Sequence, residues 1–501
     1  MTDCTFFWHD YETFGLSPRR DRPAQFAGIR TDADLNEIDA PLMHYCQPAP
    51  DYLPDPASCL LTGILPQTCL ADGLPEHVFA AAIEQQLARP STIGVGYNTI
   101  RFDDEVTRHL FWRNLIDPYA REWQSDCGRW DLLDVVRCAW ALRPEGIEWP
   151  QHASGGASFR LEHLSGANGL AHESAHDALS DVRATIALAR LLKRRKPKLY
   201  DFCLRLRRKD AVVDQLKQAE ARGRPFLHVS GRYPTERGCM ALVWPLAPHP
   251  TNRNELIVWD LADDPAELSA LGAAAIRERL YSRAVDLPEG VRRLPIKTIH
   301  LNRSPIVIAN LKTLSPERAA HWGIDVDRAL HHAESAPRHV AALNSVWAEV
   351  FDHPPPERPP DVDEDLYGGL LADNDRRLLQ RLRNLAPEQL AVQPASFADR
   401  RLDELVFRWR ARNFPETLDA AGQVRWERHC SDRLHHGAGG SLTLEAYFER
   451  IDALGEAADD RGQALLGALY DYAVQIAPAR GEAVGVPQGD RSTSHGKPAS
   501  G

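Results

Sequence analysis

The stretch FFWHDYETFG, residues 6–15, restricts this chain more than any other. Its aromatic and apolar residues read as a buried strand, yet Asp10 and Glu12 sit one residue apart inside it. Successive strand side chains point to opposite faces, so the two acids project together while His9 and Tyr11 point the other way. Carboxylates are costly to bury without a partner. Either the strand ends in solvent or a cation answers for the pair, and Mg²⁺ and Mn²⁺ are the hard ions that oxygen ligands suit.

At 501 residues the chain exceeds a single core of the usual size, so two to four domains are expected. TFFWHDYET and AQFAGIRTDAD read as strands, EHVFAAAIEQQLA as an amphipathic helix and TIGVGYN as a short buried strand. EVTRHLFWRNL, LLDVVRCAWAL and DALSDVRATIALARLL follow as helices, which makes the first 190 or so residues an α/β unit. RPFLHVSG, MALVWPLAP, ELIVWDL and KTIHLNRSPIVIAN, separated by turn residues, predict a small β-rich unit. HPPPERPP then reads as a stiff linker, and the segments from Asp365 to about Ile476 as an all-α unit. The last residues are rich in Gly, Ser and Pro and lack apolar anchors, which predicts a disordered tail. The resulting division is 1–194, 195–352, a linker at 353–362, 363–477 and a tail at 478–501.

A net charge of −11 argues against general polyanion binding, so local patches decide the matter. RLLKRRKPKLYDFCLRLRRK, residues 190–209, carries ten basic residues against Asp201. It is either a solvated helix face or a place where a polyanion is steered. Nine scattered cysteines without C-x-x-C spacing suit reduced thiols. With no signal-peptide pattern and no apolar run of membrane-spanning length, the expectation is a cytoplasmic protein without a membrane partner.

Two further segments carry acids. GYNTIRFDDEV sets Asp103 and Asp104 just after a short strand, where Asn98 and Phe102 are placed to shape the turn; on its own this also reads as an acidic helix start. ESAHDALSDV puts His176 five residues before Asp181, about 140° apart if both were helical. His176 therefore belongs to the loop entering the helix, with Asp177 as its N-cap and Asp181 facing inward from the second turn. Taken alone, His176 is a surface-loop histidine and Asp181 a solvated helix acid.

In the order Asp10, Glu12, Asp103, His176, Asp181, the set resembles the DEDDh family of 3′ to 5′ exonucleases, whose motifs are D-x-E, an Asp after an N-x-x-x-F-D segment, and H-x-x-x-x-D. HDYETFG, DRPAQFA, LTGI, RFDDEVTR, RWDLLDV, ALRPEGI, SFRLEHL, AHDALSDV, HPTNRN and RARNFPETLD narrow the likeness to its exodeoxyribonuclease I branch, from about Phe6 to about Ile476. The resemblance implies a multidomain α/β chain: a ribonuclease-H-like domain with a mixed sheet and flanking helices, an SH3-like β-rich domain and a C-terminal all-α domain, closing into a ring-like channel. It implies hydrolysis of single-stranded DNA to 5′-mononucleotides with two Mg²⁺ ions, Mn²⁺ being an alternative, in DNA repair and recombination. Asp10, Glu12 and Asp181 are then metal ligands, Asp103 a ligand directly or through water, and His176 the general base.

For the strand of DNA, the expected contacts are Glu12, Thr13, Phe14 and Gly15 at the 3′ end, then Arg108, Tyr119, Trp123, Arg137 and Arg160, with Phe111 assigned to the core. The resemblance also implies a monomer that binds the acidic C-terminal tail of single-stranded DNA-binding protein, with Arg143 and the basic run as contacts. Two rivals stand beside this reading: a DEDDh ribonuclease or proofreading subunit, which needs only the first 190 residues, and a catalytically silent single-strand-binding scaffold.

Overall fold

A computed structural model of the chain describes residues 4–152, 155–170, 177–341, 343, 345–352, 359–390 and 396–477. His176, most of the proline-rich linker and the tail from residue 478 lie outside the described residues.

The first sheet is built from β1 (Thr5–Thr13), β2 (Pro23–Thr31), β3 (Leu42–Tyr45), β4 (Thr92–Gly96) and β5 (Gly128–Asp131), in the order β3-β2-β1-β4-β5. β2 pairs antiparallel with β1 and β3, while β1, β4 and β5 run parallel. This is the mixed sheet expected of the first domain. Phe6 and Trp8 on one face of β1 share a core with Val182 and Ile186 of the helix Ala178–Arg195. Phe7 and Tyr11 on the other pack with Phe79 of the helix Glu76–Leu87 and with Val106 and Leu110 of the helix Asp103–Arg113. β4 pairs with β1 only from Thr5 to Trp8, so the rest of β1 runs past its parallel neighbour with one edge open. Asp10 and Glu12 lie on that overhang.

β6 (Phe226–Val229), β7 (Met240–Pro248), β8 (Glu255–Asp260), β9 (Ile296–His300) and β10 (Ile306–Ile308) form the second sheet, antiparallel throughout, in the order β10-β6-β7-β8-β9. KTIHLNRSPIVIAN, read as one strand signal, supplies both edge strands of this sheet. The region is also less purely β than its sequence suggests, because it includes the helix Val326–Ala341. Pro337 inside that helix obscures its pattern, since proline ordinarily reads as a breaker. The all-α unit is built mainly from the helices Asp373–Arg383, Arg401–Asn413, Ala420–His436, Leu444–Gly455 and Asp460–Ile476.

The units are fused rather than strung together. One apolar cluster runs from Trp8 and Trp130 of the first sheet through Tyr200, Cys203 and Leu206 to Val243 and Trp259 of the second. The apolar side of the basic run is thus packed into a seam while Arg194, Arg195, Lys198, Arg205 and Arg208 stay exposed, and Arg190 and Lys193 donate to the carbonyls of Leu35 and Ala33. A second cluster joins Phe14, Tyr52 and Cys59 to Leu434, Tyr447 and Leu469 of the helical unit. Beside it lies a buried ionic clasp: Asp363 accepts from Arg22 at 3.0 Å and Arg412 at 2.6 Å, and Asp51 accepts from Arg412 at 2.7 Å. Burial would raise both acids, but the surrounding guanidinium groups, Arg412 foremost, hold them well below the usual carboxylate range.

Candidate metal and nucleic-acid site

Asp10, Glu12 and Asp181 each place one carboxylate oxygen within 4.8 Å of the others. The first two come from the overhang of β1, and Asp181 from the first turn of the helix Ala178–Arg195 rather than the expected second. Gln25 fixes that approach. It is the β2 partner of Glu12, its carbonyl accepts from the Ala178 amide at 3.0 Å, and its amide nitrogen lies 3.4 Å from Asp177. Asp177 caps the helix through the Ser180 amide, as read from the sequence.

Asp103 stands beside this trio rather than within it. Its carboxylate accepts from the Tyr11 amide at 3.2 Å, taking a position that β4 would fill had it continued alongside β1. The turn that delivers it is braced by Asp131, which accepts from the amides of Asn98 and Ile100, and Asn98 adopts the left-handed conformation that asparagine tolerates. Asp104 has a different task. Burial would raise it, but Arg121 at 2.6 Å and Arg129 at 3.0 Å hold it ionised, so it anchors the helix start and leaves Asp103 to face the site.

The electrostatics are those of an unneutralised acid cluster. Burial, reinforced by Asp103, Glu12 and Asp181, raises Asp10 well above the carboxylate range. Burial with Asp181 and Asp177 pushes Glu12 up to about 8. Burial and Asp104 raise Asp103. A dense set of oxygen donors that repel one another is relieved by a divalent cation, so these residues fit such an ion. On the far face of β1, burial and Arg121 lower His9 to about 3, which keeps it a neutral core residue.

The expected DNA contacts divide. Trp123 is 66 % exposed and lines a groove of about 750 Å³ with Tyr119, at the meeting of the three units. Arg160 is exposed and reaches Glu162 only at 3.7 Å. Arg108 forms part of the same groove, but it is buried and its donors are taken by Glu105, Glu122 and Tyr367. Arg137 is similarly held, by Asp134 at 2.6 Å and against Phe159. Phe111 is fully buried, as expected.

At the 3′-end segment the expectation needs correction. Phe14 is 1 % exposed and lies in the core shared with the helical unit, because the ladder between β1 and β2 shifts register between Glu12 and Thr13. The Thr13 hydroxyl donates to the Gly15 carbonyl at 2.7 Å. The side chain presented to solvent is instead Leu16, 83 % exposed, which the sequence reading missed although a leucine in the polar loop GLSPRR was a usable signal. Arg253 and Leu370, which also line the groove, were missed because they arrive from distant parts of the chain. Arg143 is exposed and donates to the Thr313 carbonyl at 3.1 Å.

Three stretches match family descriptions: Exonuclease over residues 7–189, Exonuclease I SH3-like domain over 207–353 and Exonuclease I C-terminal domain over 360–476. The chain is 44 % identical over 475 residues to exodeoxyribonuclease I of Escherichia coli K12, covering 94 % of this chain and 98 % of that one. A moderately thermophilic exonuclease I from Methylocaldum szegediense superposes with a TM-score of 0.89 at 46 % identity, covering 95 % of this chain and all of the other. The zinc-bound complex of the E. coli enzyme with single-stranded DNA superposes at 0.88 with 43 % identity, over 95 % of this chain and 100 % of that one.

Proposed function

The chain belongs to the exodeoxyribonuclease I family and is a divalent-metal-dependent 3′ to 5′ exodeoxyribonuclease acting on single-stranded DNA, and we propose that Asp10, Glu12 and Asp181 hold two Mg²⁺ ions at its reaction centre. The observation that carries this is the convergence of three carboxylates within 4.8 Å, two of them, Asp10 and Glu12, raised by burial and by the charge of neighbouring carboxylates. Bound divalent metal supplies the positive charge that offsets the developing charge on the leaving 3′ oxygen and lowers the pKa of a nucleophilic water.

The chain's own residues do the rest. His176 accepts the proton of the attacking water; its immediate neighbour Asp177 stands close enough to Glu12 to shift its titration, which supports a position at the site. Asp103, fixed by the Tyr11 amide, holds the second edge of the acid set. Leu16 and the backbone around Thr13 meet the 3′-terminal nucleotide, and Arg160 meets a phosphate. Tyr119 and Trp123 offer stacking surfaces along the groove, with Arg108 bracing its wall.

The product is the 5′-mononucleotide, and the setting is DNA repair and recombination in the cytoplasm, as a monomer. Nine free cysteines, and the absence among the described residues of a helix long and apolar enough to cross a membrane, agree with that setting. The domain boundaries 1–194, 195–352 and 363–477 are supported by the three matched ranges. Arg143 stays our candidate contact for the acidic tail of single-stranded DNA-binding protein, supported by the two cations, Lys196 and Arg318, that gather on nearby Glu145. The deciding experiment is end-labelled single-stranded DNA, RNA and duplex DNA with Mg²⁺: mononucleotides released from the first alone support the reading, and no cleavage with any divalent metal would sink it.

A further inference from the structure

The segment between the helix Asp103–Arg113 and β5 carries Tyr119 and Trp123, the aromatic surfaces of the groove, yet little regular backbone holds it in place. It is built from two short 3₁₀ turns, Ala120–Glu122 and Gln124–Asp126, closed by local hydrogen bonds, with Ser125 and Asp126 in left-handed conformations. The Ser91 amide, donating to the Ser125 carbonyl at 2.9 Å, ties its far end to the start of β4. Both aromatics precede that tie, so side chains must fix them.

Two ion pairs of opposite polarity do this. Between the aromatics, Arg121 reaches Asp104 at 2.6 Å and Glu122 accepts from Arg108 at 2.7 and 2.9 Å. Asp104 and Arg108 lie four residues apart on the Asp103 helix, hence on one face a turn apart. Arg129 of β5 joins the pairs, 3.0 Å from Asp104 and 3.3 Å from Glu122. Arg121 differs from its neighbours: Tyr119, Ala120, Glu122, Trp123 and Gln124 all line the groove, and Arg121 does not. Its buried side chain crosses β4 instead, where a Cβ on Gly94 would come 3.3 Å from its Nη1 and 3.5 Å from Nε2 of His9. Its Nε and Nη1 have no hydrogen-bond partner among the described residues, so the bond from Nη2 to Asp104 carries the anchoring.

We infer that Arg121 is a positioning residue for strand binding: its pair with Asp104 sets Tyr119 and Trp123 at a fixed offset from Asp103, so that bases stacked in the groove and the phosphate at the acid cluster share one register. The inference rests on the function proposed above. A buried ion pair is weak support for stability, because desolvation offsets its attraction, but it does select one arrangement of the groups it joins. Here those groups are the irregular segment that bears the stacking surfaces and the residue immediately beside Asp103. Buried behind the groove, Arg121 acts on the strand only through the aromatics on either side of it.

The test is steady-state hydrolysis of single-stranded DNA by the full chain, with strand affinity measured separately in EDTA. Arg121→Met raises KM and the EDTA dissociation constant about tenfold, the scale of one lost stacking contact, while kcat stays within about twofold and the Mg²⁺ concentration for half-maximal rate is unchanged. Arg121→Lys, a point charge in place of the planar fork, falls between, and it carries the test alone if Arg121→Met does not fold. In a Trp123→Ala background the Arg121 change adds less than it does in wild type, because both act through the same surface. An unchanged KM, a fall in kcat with a raised Mg²⁺ requirement, or full additivity with Trp123→Ala overturns the assignment. Wild type is assayed alongside: no turnover there means the functional reading has failed, whereas turnover with unchanged KM in the variants defeats only the role of Arg121.

Discussion

Replacing Asp363 by alanine withdraws the acceptor shared by Arg22 at 3.0 Å, Arg412 at 2.6 Å and Arg408 at 3.6 Å, whose side chains are all nearly covered. Breaking a buried ion pair from one side costs about 3–5 kcal/mol, because the remaining charge stays desolvated. Each arginine here keeps another carboxylate: Arg412 has Asp51 at 2.7 Å, Arg408 has Asp361 at 2.7 Å, and Arg22 has Glu76 only at 3.9 Å. The loss therefore belongs near the lower figure, about 3 kcal/mol, or roughly two decades in the equilibrium that separates the helical unit from the exonuclease unit. Trp112 and Trp409 sit in the apolar cluster where these units meet, so tryptophan fluorescence during urea unfolding reads that separation. The expected result is an earlier transition for Asp363→Ala, partly recovered when Arg412→Met is added, because the second change removes an uncompensated cation. A transition moved by less than about 0.5 kcal/mol would place this network among the ion pairs that contribute nothing measurable. Failure of Arg412→Met to recover any of the loss would show that packing, not charge, is being measured.

Three shorter predictions concern the site. Glu12 is pushed from 4.5 to about 8, so the stability it contributes is fully present below about 4.5 and is lost as pH rises through about 8. Metal-free protein is expected to melt higher at pH 5.5 than at pH 8; saturating Mg²⁺ and Glu12→Gln each narrow that gap, and a gap that ignores both would refute the assignment. Asp10→Ala abolishes turnover while single-strand affinity in EDTA stays within a few-fold of wild type, and retained turnover would dismiss the carboxylate trio as a metal site. Trp123→Ala weakens single-strand binding by about 1–3 kcal/mol, the worth of one stacked base, measured by fluorescence anisotropy. An unchanged affinity removes Trp123 from the path of the strand.

What was legible in the sequence and what was not follow from how each residue's task is encoded. β1 was readable to its ends because alternation of large apolar residues marks a two-faced strand, and Asp10 and Glu12 stood out as acids on its buried face. The same rule failed one residue later. The register shift after Glu12 breaks the alternation, so Phe14 turns inward and Leu16 outward, and no local pattern announces a bulge. The short strands β3 and β5, four residues each, offered too few positions for periodicity to register. Arginines were the harder case. A guanidinium binds a phosphate and a carboxylate by the same hydrogen bonds, so Arg108 and Arg160 look alike in sequence. They separate only when Glu122 folds back 14 residues and Tyr367 arrives from 259 residues away to occupy one of them. The clasp at Asp363, whose partner Arg22 lies 341 residues distant, was invisible for that reason. Acids that must converge to hold an ion betray one another by motif, whereas a cation's role depends on which anion reaches it first in three dimensions.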